Sequence, residues 1–272
     1  MFPLHDNIPP RTFPWVNYTL IGLCTLVFAV QFIAGEQGNT LVEQWGLVPA
    51  RLTNPNQLPL IQAEFVESTA FGERWVTGTR EVLPAAIPDW ATLITCMFLH
   101  GGVMHFLGNM WFLHIFGDNV EDRLGHWMYA MLYVVAGILA GLTHLFSDMQ
   151  SPIPTIGASG AIAGVMGAYL LLYPAAKVTA VIPMVVLFPM IVVPAPAFLG
   201  LWFVMQFIQG ASAAGSGQSG GVAWFAHIGG FVAGVGIAIA LKLLHRLSPP
   251  VHEIGPGEER LTFFRPRDTY LS

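Results

Sequence analysis

Long uninterrupted apolar runs are the feature that most constrains this chain of 272 residues. Hydrophobic residues make up 54% of the sequence and charged residues only 10%, against about 25% charged residues in a soluble domain. The runs are continuously apolar rather than alternating, which predicts bundled membrane helices and not a barrel. We therefore predict an all-α membrane protein with six transmembrane helices, at 15–34, 103–119, 126–146, 158–173, within 195–209 and at 222–244.

One further apolar stretch, 178–193, could form a seventh span. Pro183 and Pro189 interrupt it, and two more prolines follow directly. Because proline ends or kinks a helix, we interpret this stretch as a buried connection or a broken extension of its neighbours.

The distribution of Lys and Arg predicts the orientation, because these residues accumulate in cytoplasmic loops. With six spans, eight of the eleven basic residues fall on one side, and the loops after spans three and five carry none. Both termini are therefore predicted to be cytoplasmic. From the short termini and the lack of a transit peptide we expect a bacterial plasma membrane. The eight residues are Arg11, Arg123, Lys177, Lys242, Arg246, Arg260, Arg265 and Arg267.

The spans divide the chain into three parts. A six-span domain at 15–246 lies between a cytoplasmic N-terminal segment at 1–14 and a flexible cytoplasmic tail at 247–272. Within the domain, the loop at 35–89 is extracytoplasmic, and a loop of this length is expected to have structure or function of its own. The Gly/Ser-rich stretch 210–221 predicts a flexible loop before span six.

Polar side chains stand near the outer entrance of three spans that run in the same direction. Span two carries His105 and Asn109 one turn apart, span four begins near Ser159, and span six carries His227 a few residues in. Polar residues in spans are costly and by default face the bundle interior. Glycines beside the serine and the histidine allow close helix packing. We therefore predict one layer that contains all four side chains.

A serine and a histidine in such a layer match the requirements of acyl transfer. The hydroxyl is a weak nucleophile until a base within about 3 Å accepts its proton. Amide, imidazole and helix N-terminal N–H groups could bind the developing oxyanion. Taken alone, Ser159 is more often a packing residue and His227 is as often a core histidine; their combination with His105 and Asn109 favours catalysis.

Three segments of the sequence resemble a known family. "GASGAIAGVMGAY", "HGGVMHFLGNMWFL" with "VEDRLG" after it, and "AHIGGFVAG" are similar to the signature segments of rhomboid intramembrane serine proteases. The six-span order agrees, and the resemblance covers about 15–244. Together the segments are specific, whereas "GASG" alone would be weak.

The resemblance implies a function and a set of roles. Ser159 would be the nucleophile and His227 the general base of a dyad, with His105 and Asn109 lining the oxyanion hole. The family needs no cofactor or metal and cleaves transmembrane segments of other membrane proteins in or near the lipid bilayer. Some relatives place an aromatic residue four positions after the serine, where it stacks under the base. Here that position is Ala163, which leaves the support of the base unexplained.

Two other classes of function fit the sequence less well. A rhomboid-like protein that binds membrane clients without cutting them would usually lack the serine or the histidine, and this chain has both. A small transporter would be expected to carry intramembrane carboxylates or inverted repeats, and neither is visible. A nucleic-acid partner is not expected, since the net charge is −5 with no basic cluster.

Overall fold

The computed structural model of the protein describes residues 2–35, 37–69, 72–182, 189–216 and 223–247. These ranges are mostly helical, as the apolar runs predict. Two 3₁₀ turns, Asp89–Ala91 and Cys96–Phe98, flank the short helix Thr92–Thr95. The α-helices are α1 Trp15–Ile33, α2 Gln37–Trp45, α3 Pro49–Thr53, α4 Thr92–Thr95, α5 Val103–Leu124, α6 His126–Ser147, α7 Ser159–Leu172, α8 Ala195–Ser216 and α9 Trp224–Leu243.

The described helices differ in their capacity to cross a membrane. Three of them, α1, α6 and α9, are long and apolar enough, and Asp89–Phe98 with α5 forms a bent pair at 81° that would count as a fourth span. Helix α7 and the apolar part of α8, Ala195–Gln209, are shorter. At about 1.5 Å per residue the 14 residues of α7 reach about 21 Å, less than a hydrocarbon core of about 30 Å. The helices fit an integral membrane protein, and the count of six spans stays a prediction.

Two small sheets, which the all-α prediction did not include, accompany the helices. Strands β1 Phe2–Asp6, β4 Lys177–Val181 and β5 Met190–Pro194 form an antiparallel sheet in the order β1-β4-β5. Strands β2 Leu60–Thr69 and β3 Gly72–Glu81 form a hairpin in which Leu60 pairs with Glu81. The first sheet joins the N-terminal segment to the connection between α7 and α8.

Helix α7 lies at the centre of the helical bundle. Every residue of α7 from Gly160 to Tyr169 is buried. Its glycines face the alanine methyls of α6, and a Cβ added at Gly160 would lie 2.7 Å from the Cβ of Ala140. On the other side, a Cβ added at Gly230 or Gly234 of α9 would overlap carbonyl groups of α7. The predicted close packing of spans four and six is therefore present, and it depends on glycine.

A carboxylate of α5 fixes the start of α1. Glu121 accepts hydrogen bonds from the backbone N–H groups of Val16, at 2.9 Å, and Asn17, at 2.7 Å. These are among the N–H groups that have no partner within their own helix, and a negative charge there also complements the helix dipole. The neighbouring Asp122 accepts from Arg11 Nε at 2.8 Å. Glu121 and Asp122 thus hold the N-terminal segment against the bundle.

The segment between α1 and α5 is organised by a buried arginine. Arg51 donates hydrogen bonds to the backbone carbonyls of Glu43 at 2.7 Å, Gly46 at 2.8 Å and Leu83 at 2.9 Å. The side chain of Glu43 in turn accepts from Arg80 of β3. One guanidinium therefore ties α2, the loop after it and the segment after β3 together.

Three predicted connecting or terminal segments differ from the structure or lie partly outside the described residues. The stretch 178–193 does not extend its neighbours as helix: it contributes most of β4, two of whose five residues are buried, and the more exposed β5, while 183–188 lie outside the described residues. The loop predicted at 210–221 begins later, because α8 continues to Ser216; alanine is frequent there and favours helix. Residues 217–222 and most of the predicted tail, 248–272, lie outside the described residues.

The packing of α7 on α9 predicts that Gly234→Ala destabilises the protein. The new methyl would overlap the carbonyl oxygen of Gly164. Overpacking of a core costs roughly 1–3 kcal/mol of folding free energy. We expect the upper end of this range, because the group that is overlapped is backbone and cannot rotate aside. Gly236→Ala on the same helix is the matched control, since a Cβ there meets nothing within 4 Å. The unfolding temperatures of both variants are measured by thermal unfolding in detergent. Equal unfolding temperatures would contradict this account of the packing.

The attachment of β1 predicts a pH dependence of stability. Asp6 accepts hydrogen bonds from the Tyr169 hydroxyl at 2.5 Å and from Asn119 Nδ2 at 2.7 Å. Burial raises the pKa of Asp6 from 3.8 to about 6, because desolvation outweighs these hydrogen bonds. A carboxyl with a raised pKa in the folded chain contributes stability below its unfolded pKa, and this contribution is lost as the pH rises through the folded pKa.

We therefore expect the unfolding temperature of the wild-type protein to fall as the pH rises from about 4 to about 7. The fall should be smaller in Asp6→Asn, which has no proton to lose at this position. The measurement is thermal unfolding of both proteins across that range. Superimposable pH profiles would show that Asp6 does not titrate as described.

Candidate active site

The hydroxyl of Ser159 and the imidazole of His227 meet between α7 and α9. Ser159 is the first residue of α7, and His227 lies in the first turn of α9. The distance from Ser159 Oγ to His227 Nε2 is 2.8 Å, which is a hydrogen bond. The two helices approach closely enough for this contact because glycines line the surface between them.

The chain enters α7 through a backbone conformation that requires glycine. Gly157 has φ +121°, and its N–H donates to the carbonyl of Cys96 at 2.8 Å. A Cβ at this position would also lie 2.8 Å from Cε1 and 2.9 Å from Nε2 of His105. The glycine therefore turns the chain into α7 and leaves room for the His105 ring beside the serine.

The start of α7 presents backbone N–H groups that are free for a ligand. The first hydrogen bond at this end of the helix runs from Ile162 N to Ala158 O. The N–H groups of Ser159, Gly160 and Ala161 precede it and have no partner within the helix. The N–H of Ser159 belongs to the residue that carries the hydroxyl, so it can serve an anion that forms at this helix end.

His105 and Asn109, both on α5, line the same cavity as Ser159 and His227. His105 Nδ1 accepts a hydrogen bond from Gly101 N at 3.4 Å, which leaves the proton of the neutral ring on Nε2, the ring nitrogen on the side of Gly157. Asn109 is buried, and no described residue accepts from its Nδ2. Each of the two side chains thus offers one N–H donor to the cavity.

The cavity has a volume of about 550 Å³. Its walls come from α5, α7, α8 and α9, so four helices contribute to one space. The predicted layer of four polar side chains lines it together with apolar and aromatic residues. The lining includes Met104, Phe112, Ile156, Ile162, Met166, Trp202, Gln206, Ala223 and Trp224.

Residues that the sequence analysis did not single out surround the histidine. His227 Nδ1 lies 2.6 Å from Gln206 Oε1 on α8. The rings of Trp202 and Trp224 lie with their centroids 5.9 Å and 6.0 Å from that of His227. Ala163, the position of the aromatic support in some relatives, is fully buried. One signal for Gln206 was available in the sequence, since it is a polar side chain in an otherwise apolar predicted span.

His100 serves the fold through its backbone. Its N–H donates to Gln31 Oε1 at 3.0 Å, and its carbonyl accepts from Gln31 Nε2 at 3.2 Å. Its buried ring packs against Phe28, Phe106 and His105. These contacts are consistent with a structural role for His100, in which the backbone rather than the ring makes the hydrogen bonds.

Comparison with known proteins identifies a family and several relatives. A family model described as Rhomboid domain matches residues 88–244, more than half of the chain. The chain is 30% identical over 139 residues to "Putative rhomboid protease YdcA" of Bacillus subtilis, which covers 51% of this chain and 68% of that protein. It is 37% identical over 93 residues to "Rhomboid protease GluP" of the same species, covering 34% of this chain and 18% of GluP.

A plant protein is similar over a shorter region. "RHOMBOID-like protein 5" of Arabidopsis thaliana is 38% identical over 78 residues, which is 29% of this chain and 25% of the relative. The similarity to GluP and to the plant protein therefore spans a quarter or less of their length.

Proposed function

The chain belongs to the rhomboid family, and from this membership and the cavity geometry we propose that it is an intramembrane serine endopeptidase. Its substrates are transmembrane segments of other membrane proteins, cut by a Ser159–His227 dyad without a cofactor. The observation that carries the proposal is the 2.8 Å hydrogen bond between Ser159 Oγ and His227 Nε2 on the wall of a large cavity.

The first half of the reaction uses the dyad as nucleophile and base. His227 Nε2 accepts the hydroxyl proton while Ser159 Oγ attacks the carbonyl carbon of the scissile peptide. The product is a tetrahedral intermediate with its negative charge on the former carbonyl oxygen. A substrate helix must unwind locally for this attack, since its carbonyls are otherwise engaged in helical hydrogen bonds.

The negative charge is stabilised by donors that already line the cavity. Asn109 Nδ2 is buried without a partner among the described residues, so an oxyanion would satisfy it. His105 Nε2–H and the backbone N–H of Ser159 are the other donors. Donors held in place before the charge develops are the efficient way to stabilise it, because they need not reorient during the reaction.

The second half of the reaction releases the products. The imidazolium of His227 gives its proton to the amine nitrogen, the C–N bond breaks, and Ser159 remains acylated. Water, activated by the now neutral His227, then attacks the ester and regenerates the hydroxyl. The cavity provides the room that this water needs next to Ser159.

The membrane arrangement is part of the same proposal. We place the protein in a bacterial plasma membrane with six spans and both termini in the cytoplasm. The bias of basic residues supports the orientation, and the two Bacillus subtilis relatives support the bacterial membrane. The first loop, 35–89, and the dyad then lie towards the outer face.

Removal of either dyad residue tests the proposal. We expect Ser159→Ala and His227→Ala to lower the cleavage rate of a transmembrane reporter by at least about 10⁴-fold. The matched controls are Ser147→Ala and His114→Ala, which change the same residue types on α6 and α5 away from the cavity. Cleavage is measured with purified protein in lipid vesicles, after unfolding curves have shown that all variants are folded. Wild-type cleavage by either dyad variant would reject the proposal.

Asn109→Leu tests the oxyanion site separately from the dyad. The substitution keeps the approximate size of the side chain and removes its N–H donors. Loss of one such donor is expected to lower kcat by about 10²–10³-fold with little change in KM, since the bond forms only in the transition state. Reporter cleavage kinetics measure both constants. An unchanged kcat would remove Asn109 from the oxyanion site.

A further inference from the structure

The second ring nitrogen of His227 has a partner on a helix that carries none of the predicted site residues. Gln206, in α8, places its Oε1 2.6 Å from His227 Nδ1. Both side chains are buried. We propose that Gln206 is a positioning residue that holds His227 in the tautomer and orientation needed to accept the proton of Ser159. This inference rests on the proposed function and extends it to α8.

The tautomer of the His227 ring determines whether Nε2 can act as the base. A neutral ring carries one N–H, and the nitrogen that accepts the serine proton must be the one without it. His227 Nε2 faces Ser159 Oγ, so the reactive form has its proton on Nδ1. That Nδ1–H then needs an acceptor, because an unpaired buried donor is costly. The amide oxygen of Gln206 is that acceptor.

The competing tautomer is disfavoured by the same contact. With its proton on Nε2, the ring would present the unprotonated Nδ1 to an amide oxygen, and two acceptors would face each other at 2.6 Å. The hydroxyl of Ser159 would then have no base. With its oxygen facing Nδ1, the neutral amide of Gln206 pairs only with the reactive tautomer, and it does so without supplying charge.

The other contacts of His227 cannot make this selection. Trp202 and Trp224 pack against the ring and restrict its rotation, but their indoles offer no acceptor. The titratable groups that act on His227 electrostatically are His105 and His144, and both are bases. Among the described residues, no carboxylate contacts the His227 ring.

The surroundings of Gln206 also favour a specific role. Its neighbours Val204, Met205, Phe207 and Ile208 on α8 are apolar and exposed, as expected for a helix in contact with lipid. Gln206 is the residue of this stretch that is buried, with 8% of its surface exposed. A buried polar side chain on such a helix is costly unless it is hydrogen-bonded. Here the bond goes to the ring of the proposed base.

Gln206→Leu removes the acceptor and keeps the approximate size of the side chain. We expect kcat for reporter cleavage to fall about tenfold, the value of one neutral hydrogen bond, with KM nearly unchanged. Gln209→Leu, three positions along α8 and outside the cavity lining, is the matched control and should cleave at the wild-type rate. Wild-type kcat in Gln206→Leu would overturn the inference.

Gln206→Glu separates positioning from packing. The carboxylate restores an acceptor to Nδ1, so kcat at high pH should recover to within a few-fold of wild type. The negative charge stabilises the imidazolium, so more of the base is already protonated at a given pH. The acid limb of the pH–rate profile should therefore move to higher pH. If kcat of Gln206→Glu is as low as that of Gln206→Leu and the acid limb of its pH–rate profile does not move, Gln206 only packs against the ring.

Nuclear magnetic resonance of ¹⁵N-histidine-labelled protein tests the inference without relying on cleavage. The His227 signals are assigned by their absence in His227→Ala. The expected result is the Nδ1–H tautomer in the wild type and in Gln209→Leu, with an increased Nε2–H fraction in Gln206→Leu. An Nε2–H tautomer in the wild type would overturn the inference even if the enzyme cleaves. If the wild type does not cleave at all, the proposed function fails, and the tautomer still decides the role of Gln206.

Discussion

The close approach of α7 and α9 is the constraint on which the rest of the structure depends. Gly230 and Gly234 of α9 lie directly against the carbonyl groups of Gly160 and Gly164 of α7. No larger residue fits at these positions without moving a helix. Because the helices are this close, short side chains suffice to bridge them, and the hydroxyl at the start of α7 reaches the imidazole of α9. Packing by small residues thus determines the geometry of the proposed dyad.

Most of the polar side chains that line the cavity are hydrogen-bonded to other groups of the protein. Ser159 and His227 bond to each other, His227 bonds to Gln206, and His105 accepts from Gly101. Asn109 Nδ2 is the exception among these side chains, since no described group accepts from it. Hydrogen bonds are strengthened in a medium of low dielectric, and an unmet donor there is correspondingly costly. The proposed oxyanion is the ligand that would satisfy it.

Hydropathy alone was enough to predict the positions of α1, α6 and α9, whereas α5 and α8 continue past the predicted ends at 119 and 209. The predicted spans 15–34 and 126–146 end within a residue of α1 and α6, and 222–244 begins two residues before α9. Continuous apolar runs determine such helices locally, so little tertiary information is needed. The strands were not predicted, because β1 lies in a short segment before a proline-rich stretch and pairs with β4 across about 170 residues of sequence.

Four of the polar residues that line the cavity could be found from the sequence, because each lies in the first two turns of a helix and within a recognisable segment: Ser159, His227, His105 and Asn109. Gln206 could not be assigned in this way. Its contact with His227 depends on the rotation of α8 about its own axis and on its position beside α9, and no local pattern encodes either quantity. The same is true of Trp202, which lies one turn before Gln206 and packs against the same ring.

The central claim is that His227 activates Ser159, and covalent labelling measures this most directly. The purified protein is treated with a fluorophosphonate, which reacts with activated serine hydroxyls, and the modified peptide is identified by mass spectrometry. The account predicts a single adduct on Ser159 in the wild type and its loss in folded His227→Ala. An unmodified Ser159, or equal labelling in the absence of the imidazole, would contradict it.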